Sequence, residues 1–383
     1  MIYLDHAATT PLRDEVRDAW LEAQATGNAS SVHAAGQRAR RALEDARERA
    51  AAVLDCDPLE VVFTSGGTES ANLALKGLWW ARGAGRTTIV LPDGEHHATL
   101  DAVEWLRSAE GAEVRPVAIT GTAHIEPAAF AAALGPDVAV ATAIAANNEV
   151  GTVQDVAALA GAAASAGVPM HVDAVAALGH EPVRFRAWRG GAAGSAGLVA
   201  LSVSGHKVGA PVGTGALVVS RHAALAPLLH GGGQQRSLRS GTQDVAGAAA
   251  LATALELAER EREAENARLG ALRARLLAAL AAEPRIRALG DAEHRLAGTA
   301  HLLLPGAAGE SVLYLLDMAG VAASTGSACQ AGITEASHVV RAMGLGEAAA
   351  RQVLRVSLGR TTTAGDVDAA AAAILDAYRR LTS

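Results

Sequence analysis

The chain has 383 residues, of which 50% are hydrophobic and 19% charged, and its net charge is -7. At ~150 residues per domain this length predicts two or three domains, and the apolar content excludes a disordered chain. The acidic balance excludes a general nucleic-acid or membrane-surface binder, because there is no basic excess. The sequence shows neither a run of about 18 apolar residues nor a signal peptide. We therefore expect a cytoplasmic protein.

The rare residues limit the chemistry. Two cysteines exclude a disulfide framework and a cysteine-rich zinc module. The chain has only two lysines, Lys76 and Lys207, so 31 of its 33 basic residues are arginine. Any reaction that needs a side-chain primary amine must use one of these two lysines.

Short β-branched runs alternate with alanine-rich helical runs from about residue 60 to 220. The predicted strands are 61–65, 87–91, 114–119, 138–144, 168–173, 198–204 and 216–220, and helices near 68–82, 96–108, 126–134 and 153–166 separate the earlier ones. Apolar strands that alternate with helices predict a largely parallel sheet covered on both faces. Ligands of such sheets bind at the carboxyl ends of the strands.

The pattern changes after this region. A long charged helix is predicted over 244–283, followed by a strand at 297–304, a helix at 309–319, a loop of small residues at 322–332 and a closing helix at 365–381. We predict a large α/β domain over 13–255 and a small α+β domain formed by 1–12 and 256–383.

The junction VVFTSGGTES joins a strand to a helix through two glycines, and Thr68 and Glu69 open that helix. Free backbone N–H groups and the positive end of the helix dipole are typical of an anion site, and glycine allows close approach of a phosphate. An ordinary glycine turn explains the pattern as well. It is not a Walker A loop, because no Gly-Lys-Ser/Thr follows.

Two ionisable residues follow buried strands. Lys207 would be desolvated there, which lowers its pKa from about 10.4 and frees the amine to attack a carbonyl; the alternative is a surface ion pair. Asp173 would be costly to bury unpaired. The ring nitrogen of pyridoxal phosphate is a fitting partner for it, although the same aspartate could cap a following helix.

Cys329 lies in the small-residue loop and is a candidate nucleophile, since reactive cysteines are exposed whereas structural ones are buried. A chance small residue in a Gly/Ser loop is the alternative. Cys56 ends a helix and is predicted to be inert.

Polar clusters follow two of the strands: His96 and His97 come after 87–91, and Asn147, Asn148 and Glu149 come after 138–144. His96 and His97 lack further ligands at metal-binding spacing, so no metal site is predicted. If the strands form one parallel sheet, its carboxyl edge collects Thr68, His96, Asn148, Asp173 and Lys207.

The chain resembles the cysteine desulfurases of the NifS type, in the aminotransferase class V branch of fold-type I pyridoxal phosphate enzymes. The matching motifs run almost from end to end: YLDHAATTP, GNASSVHAAGQRAR, FTSGGTESANLALKG, EHHA, NNEVGT, HVDAV, SVSGHK, HGGGQQRSLRSGT, STGSACQAG and LRVSLG. The resemblance implies a large, mostly parallel, seven-stranded sheet domain and a smaller α+β domain that carries the catalytic cysteine loop.

The resemblance also implies roles. Lys207 would bind the cofactor covalently and move the substrate Cα proton, and Asp173 would pair with the pyridine nitrogen. His96 would stack on the ring and assist proton transfer, so the catalytic residues would be Lys207, His96 and Cys329. The phosphate contacts would come from Gly67, Thr68, Ser204 and His206, with Thr242 supplied by the other subunit of a homodimer. Asn148 would contact cofactor or substrate.

Substrate and sulfur would be handled by other residues. Arg355, with Asn28 nearby, would bind the substrate carboxylate, and Cys329 would take the substrate sulfur as a persulfide. The implied reaction converts L-cysteine to L-alanine and passes the sulfur to an acceptor protein, for iron–sulfur cluster assembly, tRNA thiolation or related sulfur trafficking. No direct contact with nucleic acid is expected.

The chain departs from the family pattern in three places. Ala176 stands where a glutamine usually contacts the cofactor, which would cost about 1 kcal/mol of hydrogen bonding. Val199 stands where an acidic residue is often found, and the tail that some relatives use to dock an iron–sulfur scaffold protein is expected to be short or absent. A selenocysteine lyase or another class V aminotransferase-type enzyme is the alternative activity. A non-catalytic relative that acts as a binding partner is a further one, and the retained Lys207, Asp173, His96 and Cys329 argue against it.

Overall fold

A computed structural model of the protein describes residues 1–327, 329–330 and 333–383, and describes side chains for 1–327 and 335–383. The helices are α1 (Asp14–Ala23), α2 (Ala34–Leu54), α3 (Gly67–Trp80), α4 (His97–Glu110), α5 (Pro127–Ala133), α6 (Val156–Ser165), α7 (Phe185–Arg189), α8 (Val245–Leu280), α9 (Gly309–Met318), α10 (His338–Ala342), α11 (Gly346–Ala350) and α12 (Ala364–Thr382). The strands are β1 (Ile2–Tyr3), β2 (Val61–Thr64), β3 (Thr88–Pro92), β4 (Glu113–Val117), β5 (Val138–Ile144), β6 (Pro169–Asp173), β7 (Gly197–Ser204), β8 (Gly215–Val219), β9 (Arg287–Leu289), β10 (Thr299–Leu303), β11 (Val321–Ala322), β12 (Cys329–Gln330), β13 (Ile333–Thr334) and β14 (Val353–Ser357).

The seven predicted strands form one sheet, in the order β2-β8-β7-β6-β5-β3-β4. Pairing is parallel from β7 through β4, and β8 alone runs against both of its neighbours. The prediction of a large, mostly parallel sheet is therefore confirmed. Strand boundaries agree with the predicted ones to within two residues, and those of β5 agree at both ends.

Helices cover both faces of this sheet, which explains why its strands are apolar throughout. On one face, α3 and α4 pack on β2, β3, β5, β7 and β8 through a cluster that includes Leu73, Leu75 and Leu106. On the other face, α2, α5, α6 and the first half of α8 pack on the sheet. Each fully buried leucine contributes roughly 1.5–3 kcal/mol to stability, so this packing holds the sheet firmly between the two layers of helices.

The last third of the chain has a separate hydrophobic core. The antiparallel sheet β14-β10-β9 packs against α9, α12 and the second half of α8, through residues such as Leu272, Leu302, Val356 and Ile374. The helix α8 thus contributes to both cores. The exact division into domains at residues 12 and 255 stays a prediction.

The predicted loop at 322–332 is partly wrong. β11 pairs with β1, and β12 pairs with β13 as a two-stranded hairpin. Small residues hid these strands, because Gly, Ser and Ala have low β-propensity and the pairing comes from tertiary contacts. Within the described parts of the chain, no helix is both long and apolar enough to cross a membrane.

Candidate active site

A cavity of about 480 Å³ opens at the carboxyl edge of the seven-stranded sheet. Its walls come from the turns after β2, β3, β5, β6 and β7, together with β14 and the chain start. Nine residues singled out from the sequence line it: Gly67, Thr68, His96, Asn148, Asp173, Ser204, His206, Lys207 and Arg355. Residues up to 288 positions apart in the chain therefore share one cavity, since parallel strands end on the same side.

Lys207 ends a single helical turn, Gly205–Lys207, that directly follows β7. Its Nζ donates hydrogen bonds to the backbone carbonyls of Ala7 and Ala8, the latter at 2.9 Å. Burial, reinforced by the positive charge of Arg355, lowers the pKa of Lys207 to about 8. An appreciable fraction of the amine is therefore neutral near pH 7, as a nucleophilic lysine requires. Lys207 is desolvated, as the sequence predicted, because it directly follows a buried strand.

Asp173 is the last residue of β6 and is only 4% exposed. Its Oδ1 accepts a hydrogen bond from the backbone N–H of Val175 at 2.9 Å. Burial raises the pKa of Asp173 to about 6, and the nearby Lys207 opposes the rise. The carboxylate is therefore mostly ionised at neutral pH while remaining buried, so it suits a cationic N–H partner in the cavity. The bond to Val175 is a local turn contact, and a turn rather than a helix follows.

His96 lies across the cavity at the N-cap of α4. Its Nδ1 accepts a hydrogen bond from the backbone N–H of Ala98 at 3.1 Å, so Nε2 carries the hydrogen of the neutral ring. Burial, followed by the charge of Lys207, lowers the pKa of His96 to about 4. The ring is therefore neutral at physiological pH, and it presents a flat, largely apolar face.

The glycine turn after β2 forms a cradle at the start of α3. Gly66 adopts φ +148°, a backbone conformation open to glycine, and a Cβ on Gly67 would lie 2.6 Å from Val175 Cγ2. Only glycine fits at both positions. The free N–H groups of α3 face a wall that also carries the Ser204 and His206 side chains. This arrangement can bind a phosphate group.

Arg355 reaches the cavity from β14, on the opposite side from the large sheet. It is 4% exposed, and it donates hydrogen bonds to the Asn148 carbonyl at 2.8 Å and to Asp5 Oδ1 at 2.9 Å. A buried guanidinium in this position can bind a carboxylate by a bidentate contact. Asp5 was missed as a partner from the sequence, because only the fold brings residues 5 and 355 together.

Two of the predicted residues lie outside this cavity, and the side chain of a third is not among the described ones. Asn28 and Thr242 are exposed and do not line this cavity. The backbone of Cys329 belongs to β12, but its side chain lies outside the described residues. Ser327, two residues earlier, does line the cavity, so the cysteine-bearing segment begins at its wall.

The cavity contains further ionisable residues for which sequence reasoning assigned no role. His97, Glu149 and His338 all line it, and the His97 and His338 rings meet edge to face with their centroids 5.1 Å apart. Within the described residues, no group of three or more His, Cys, Asp or Glu side chains could hold a metal ion. His97 and Glu149 belong to the polar clusters after β3 and β5. Their positions after strand ends were the one sequence feature that could have placed them in the site.

Comparison with known proteins places this arrangement in a family. Residues 2–370 match the aminotransferase class-V family. An IscS-like cysteine desulfurase of Mycobacterium tuberculosis is 47% identical over 378 residues, covering 97% of this chain and 94% of that protein.

Solved structures agree with the sequence comparison. A NifS-like protein superposes with a TM-score of 0.89 at 30% identity, covering 99% of both chains. A structure described as SspA in complex with cysteine superposes with a TM-score of 0.79 at 29% identity, covering 94% of this chain and 99% of that one. The chain therefore belongs to the aminotransferase class-V family, and within it to the cysteine desulfurases of the NifS and IscS type.

Proposed function

We propose that this protein is a pyridoxal-phosphate-dependent cysteine desulfurase that converts L-cysteine to L-alanine and carries the sulfur as a persulfide on Cys329. The observation that supports this most is the meeting of Lys207, Asp173 and His96 in one cavity with the glycine cradle. Each of these features has another explanation by itself. Together they match the covalent, ionic, stacking and phosphate contacts that a single cofactor needs.

The residues present fit pyridoxal phosphate. Gly67 lines the cavity without a side chain, and a Cβ there would clash with Val175 Cγ2. The buried carboxylate of Asp173 has a single hydrogen-bond donor among the described residues, Val175, and so can take a ring N–H as well. Lys207 has the depressed pKa that covalent attachment requires.

When bound, pyridoxal phosphate supplies an electron sink for the bonds around the substrate Cα. The chain supplies the rest. Asp173 would keep the ring nitrogen protonated, since its own pKa lies below 7. Lys207 Nζ, once free, would move the Cα proton, and the neutral His96 ring would pack on the cofactor with its Nε2–H toward the cavity.

The substrate site would use the other wall. Arg355 would bind the carboxylate of L-cysteine, with Asn148 beside it in the cavity. The implied role of Asn28 near the substrate stays a prediction. Cysteine is the ligand that the SspA structure contains, and that protein shares the fold over 94% of this chain. Ala176 also lines the cavity, and its methyl group cannot make the hydrogen bond that a glutamine there would make.

The sulfur step balances without an added oxidant or reductant. The Cβ–S bond of L-cysteine breaks and an S–S bond forms at Cys329, so the substrate sulfur becomes the outer atom of the persulfide. The proton that the Cys329 thiol loses is balanced by the one that Cβ gains, and the product is L-alanine. Sulfur would then go to an acceptor protein, in iron–sulfur cluster assembly, tRNA thiolation or related trafficking.

We also propose a homodimer that works in the cytoplasm. Thr242 is exposed and lies outside the cavity of its own chain, which suits a residue that completes the phosphate site of a partner subunit. Sedimentation of the purified protein, with and without a Thr242→Ala substitution, tests the dimer, and the absorbance of the bound cofactor tests the phosphate contact. We expect the Thr242→Ala protein to remain a dimer and to retain the cofactor more weakly.

The central test is to add L-cysteine to the purified, cofactor-loaded protein and follow its visible absorbance and the alanine formed. The proposal expects the absorbance band to change on mixing, and alanine to appear in step with sulfide when a thiol reductant is present. A band without alanine would contradict the substrate and favour another class V enzyme. A selenocysteine lyase would act on selenocysteine and leave L-cysteine unchanged.

A further inference from the structure

Glu149 is a buried glutamate for which the proposed mechanism has no use. It is 1% exposed and lies in the turn after β5. Asn147 fixes that turn: its Oδ1 accepts hydrogen bonds from the N–H groups of Glu149 and Val150 at 2.9 and 3.0 Å, and its Nδ2 donates to the Gly94 carbonyl at 3.0 Å. The backbone of Glu149 is therefore held rigidly to the large sheet. Its carboxyl group points away toward the last third of the chain.

One carboxyl oxygen meets the end of the segment that carries Cys329. Ser337, which is fully buried, donates a hydrogen bond from Oγ to Glu149 Oε2. The same Ser337 Oγ accepts a hydrogen bond from the N–H of Val340 at 3.0 Å and so caps α10. The hydroxyl thus donates one hydrogen bond and accepts another, and it links the start of α10 to the large sheet through Glu149.

The neighbouring residue makes a second link. His338 Nε2 lies 2.9 Å from the Glu95 backbone carbonyl, which can only accept, so this nitrogen carries a hydrogen. The Nδ1 of the same ring lies 3.8 Å from Glu149 Oε1. Both residues at the start of α10 therefore contact the turns after β3 and β5.

The stem of Glu149 meets the beginning of the same segment. Gly326 has φ +88°, and a Cβ placed on it would lie 3.1 Å from His301 Cε1 and 3.4 Å from Glu149 Cγ. A side chain at position 326 would therefore press on His301 and touch Glu149, so the stem of Glu149 lies beside Gly326. One glutamate thus lies beside the cysteine-bearing segment at Gly326, before Cys329, and accepts a hydrogen bond from it at Ser337, after it.

We propose that Glu149 is a positioning residue that anchors both ends of the segment 326–337 to the large sheet, and thereby sets where Cys329 meets the substrate sulfur. This inference rests on the proposed function for its chemical consequence, but the anchor itself does not. Burial raises the pKa of Glu149 while His338 opposes the rise. A neutral glutamine, which keeps an acceptor and a donor in the same place, should therefore serve nearly as well.

The test compares Glu149→Ala, Glu149→Gln and Ser337→Ala in the cofactor-loaded protein. Two rates are measured after L-cysteine is added: the change in the cofactor absorbance, which needs no thiol, and persulfide formation on Cys329 by mass spectrometry in a single turnover. Misplacement by about 1 Å can cost 10²-fold in rate. We expect Glu149→Ala to lower persulfide formation by about that factor, with the absorbance change within about twofold of the parent.

The other variants sharpen the result. Glu149→Gln should keep persulfide formation within a few-fold of the parent, and Ser337→Ala should lose an intermediate amount because it removes one contact of two. Glu347→Ala is the matched control, since Glu347 lies in the same part of the chain and pairs with Arg351 at the surface. Equal losses of both rates in Glu149→Ala, or no loss of either, would overturn the proposal.

Hydrogen–deuterium exchange of peptides covering 326–337 gives a readout that needs neither cofactor nor activity. The anchor predicts faster exchange in Glu149→Ala and near-parental exchange in Glu149→Gln. If the parent protein makes no alanine from L-cysteine, the proposed function fails while this exchange experiment still decides the anchor. If Glu149→Ala does not fold, the glutamine and Ser337 variants decide it. Unchanged exchange in Ser337→Ala would then count against it.

Discussion

Two regions of the molecule meet in the cavity, and they are held in different ways. The sheet-edge site, which consists of Lys207, Asp173, His96 and the Gly66–Thr68 turn, sits on the ends of strands and the start of helices. Asp173 lies opposite Ser202 in the ladder between β6 and β7, and Lys207 follows that same β7 within three residues. A continuous hydrogen-bonded sheet thus fixes these groups relative to one another.

The cysteine-bearing segment 326–337 is instead held by contacts at or next to its two ends. Ser324 exchanges backbone hydrogen bonds with Arg355, and Ser337 donates to Glu149 across 188 residues of sequence. The comparison teaches that separate sets of contacts hold the residues proposed for cofactor chemistry and the segment proposed for sulfur delivery. Substitutions should therefore be able to damage one and spare the other.

The largest effect should come from the centre of the sheet-edge site. Lys207→Ala removes the only amine in the cavity, so we expect alanine formation to fall by about 10⁴-fold or more and covalent cofactor attachment to disappear. Absorbance after borohydride reduction and peptide mapping measure the attachment. Lys76→Arg is the control, because the only other lysine packs over the ring of Trp105, away from the cavity. Label on Lys76 in the parent protein would refute the assignment.

Cys329→Ser should separate the two regions most cleanly. Persulfide formation should vanish, while the absorbance change caused by L-cysteine should persist, because serine cannot accept the sulfur. Cys56→Ser is the matched control: Cys56 is buried, and burial raises the pKa of its thiol, so it is a poor nucleophile. An aminotransferase would not need the Cys329 thiol, and undiminished sulfur release from Cys329→Ser would favour that alternative.

Asp173→Asn should slow the reaction at the sheet-edge site while the cofactor stays bound. A neutral amide cannot hold the ring nitrogen protonated, and losses of preorganised electrostatic stabilisation typically cost about 10²- to 10³-fold in rate. Cofactor should still bind through Lys207 and the glycine cradle. The rate of the absorbance change after L-cysteine is the measurement. A rate equal to that of the parent would show that the carboxylate has only a structural role at the end of β6.

The smallest effect concerns the sheet beneath the site. His171 is fully buried on β6 between the Thr142 and Ser202 hydroxyls, at 3.0 and 2.8 Å, and burial lowers its pKa to about 3. Because the unfolded chain binds a proton on this ring below pH 6.5 and the folded protein does not, stability is lost as the pH falls. The expected loss is about 2 kcal/mol at pH 5.

Denaturant unfolding at pH 7 and pH 5 measures how much the free energy of unfolding falls between the two pH values. His171→Gln should reduce the difference between the two pH values, whereas substitution of the exposed His294 by asparagine should leave it unchanged. If His171→Gln leaves the difference unchanged, His171 does not carry it, and the sheet beneath the site tolerates a charge.

Much of the sheet-edge site could be predicted because its residues lie next to clear strand signals. The β-branched runs at 138–144, 168–173 and 198–204 each end in polar residues, and parallel topology gathers such ends at one edge. The hairpin β12–β13 could not be predicted in this way. Small residues carry little information on pairing, and the neighbours that define this region lie far away in the chain.

The sequence by itself determined the alternation of strands and helices, singled out Lys207 among two lysines, and put Lys207 and Asp173 at the ends of strands. Local periodicity and composition encode these features, because each depends on residues within one or two elements. Only the tertiary structure decided that Asp5 pairs with Arg355, and that Glu149 lies beside Gly326 and accepts a hydrogen bond from Ser337. Those contacts depend on how the last third of the chain packs on the large sheet, and no local pattern records that packing.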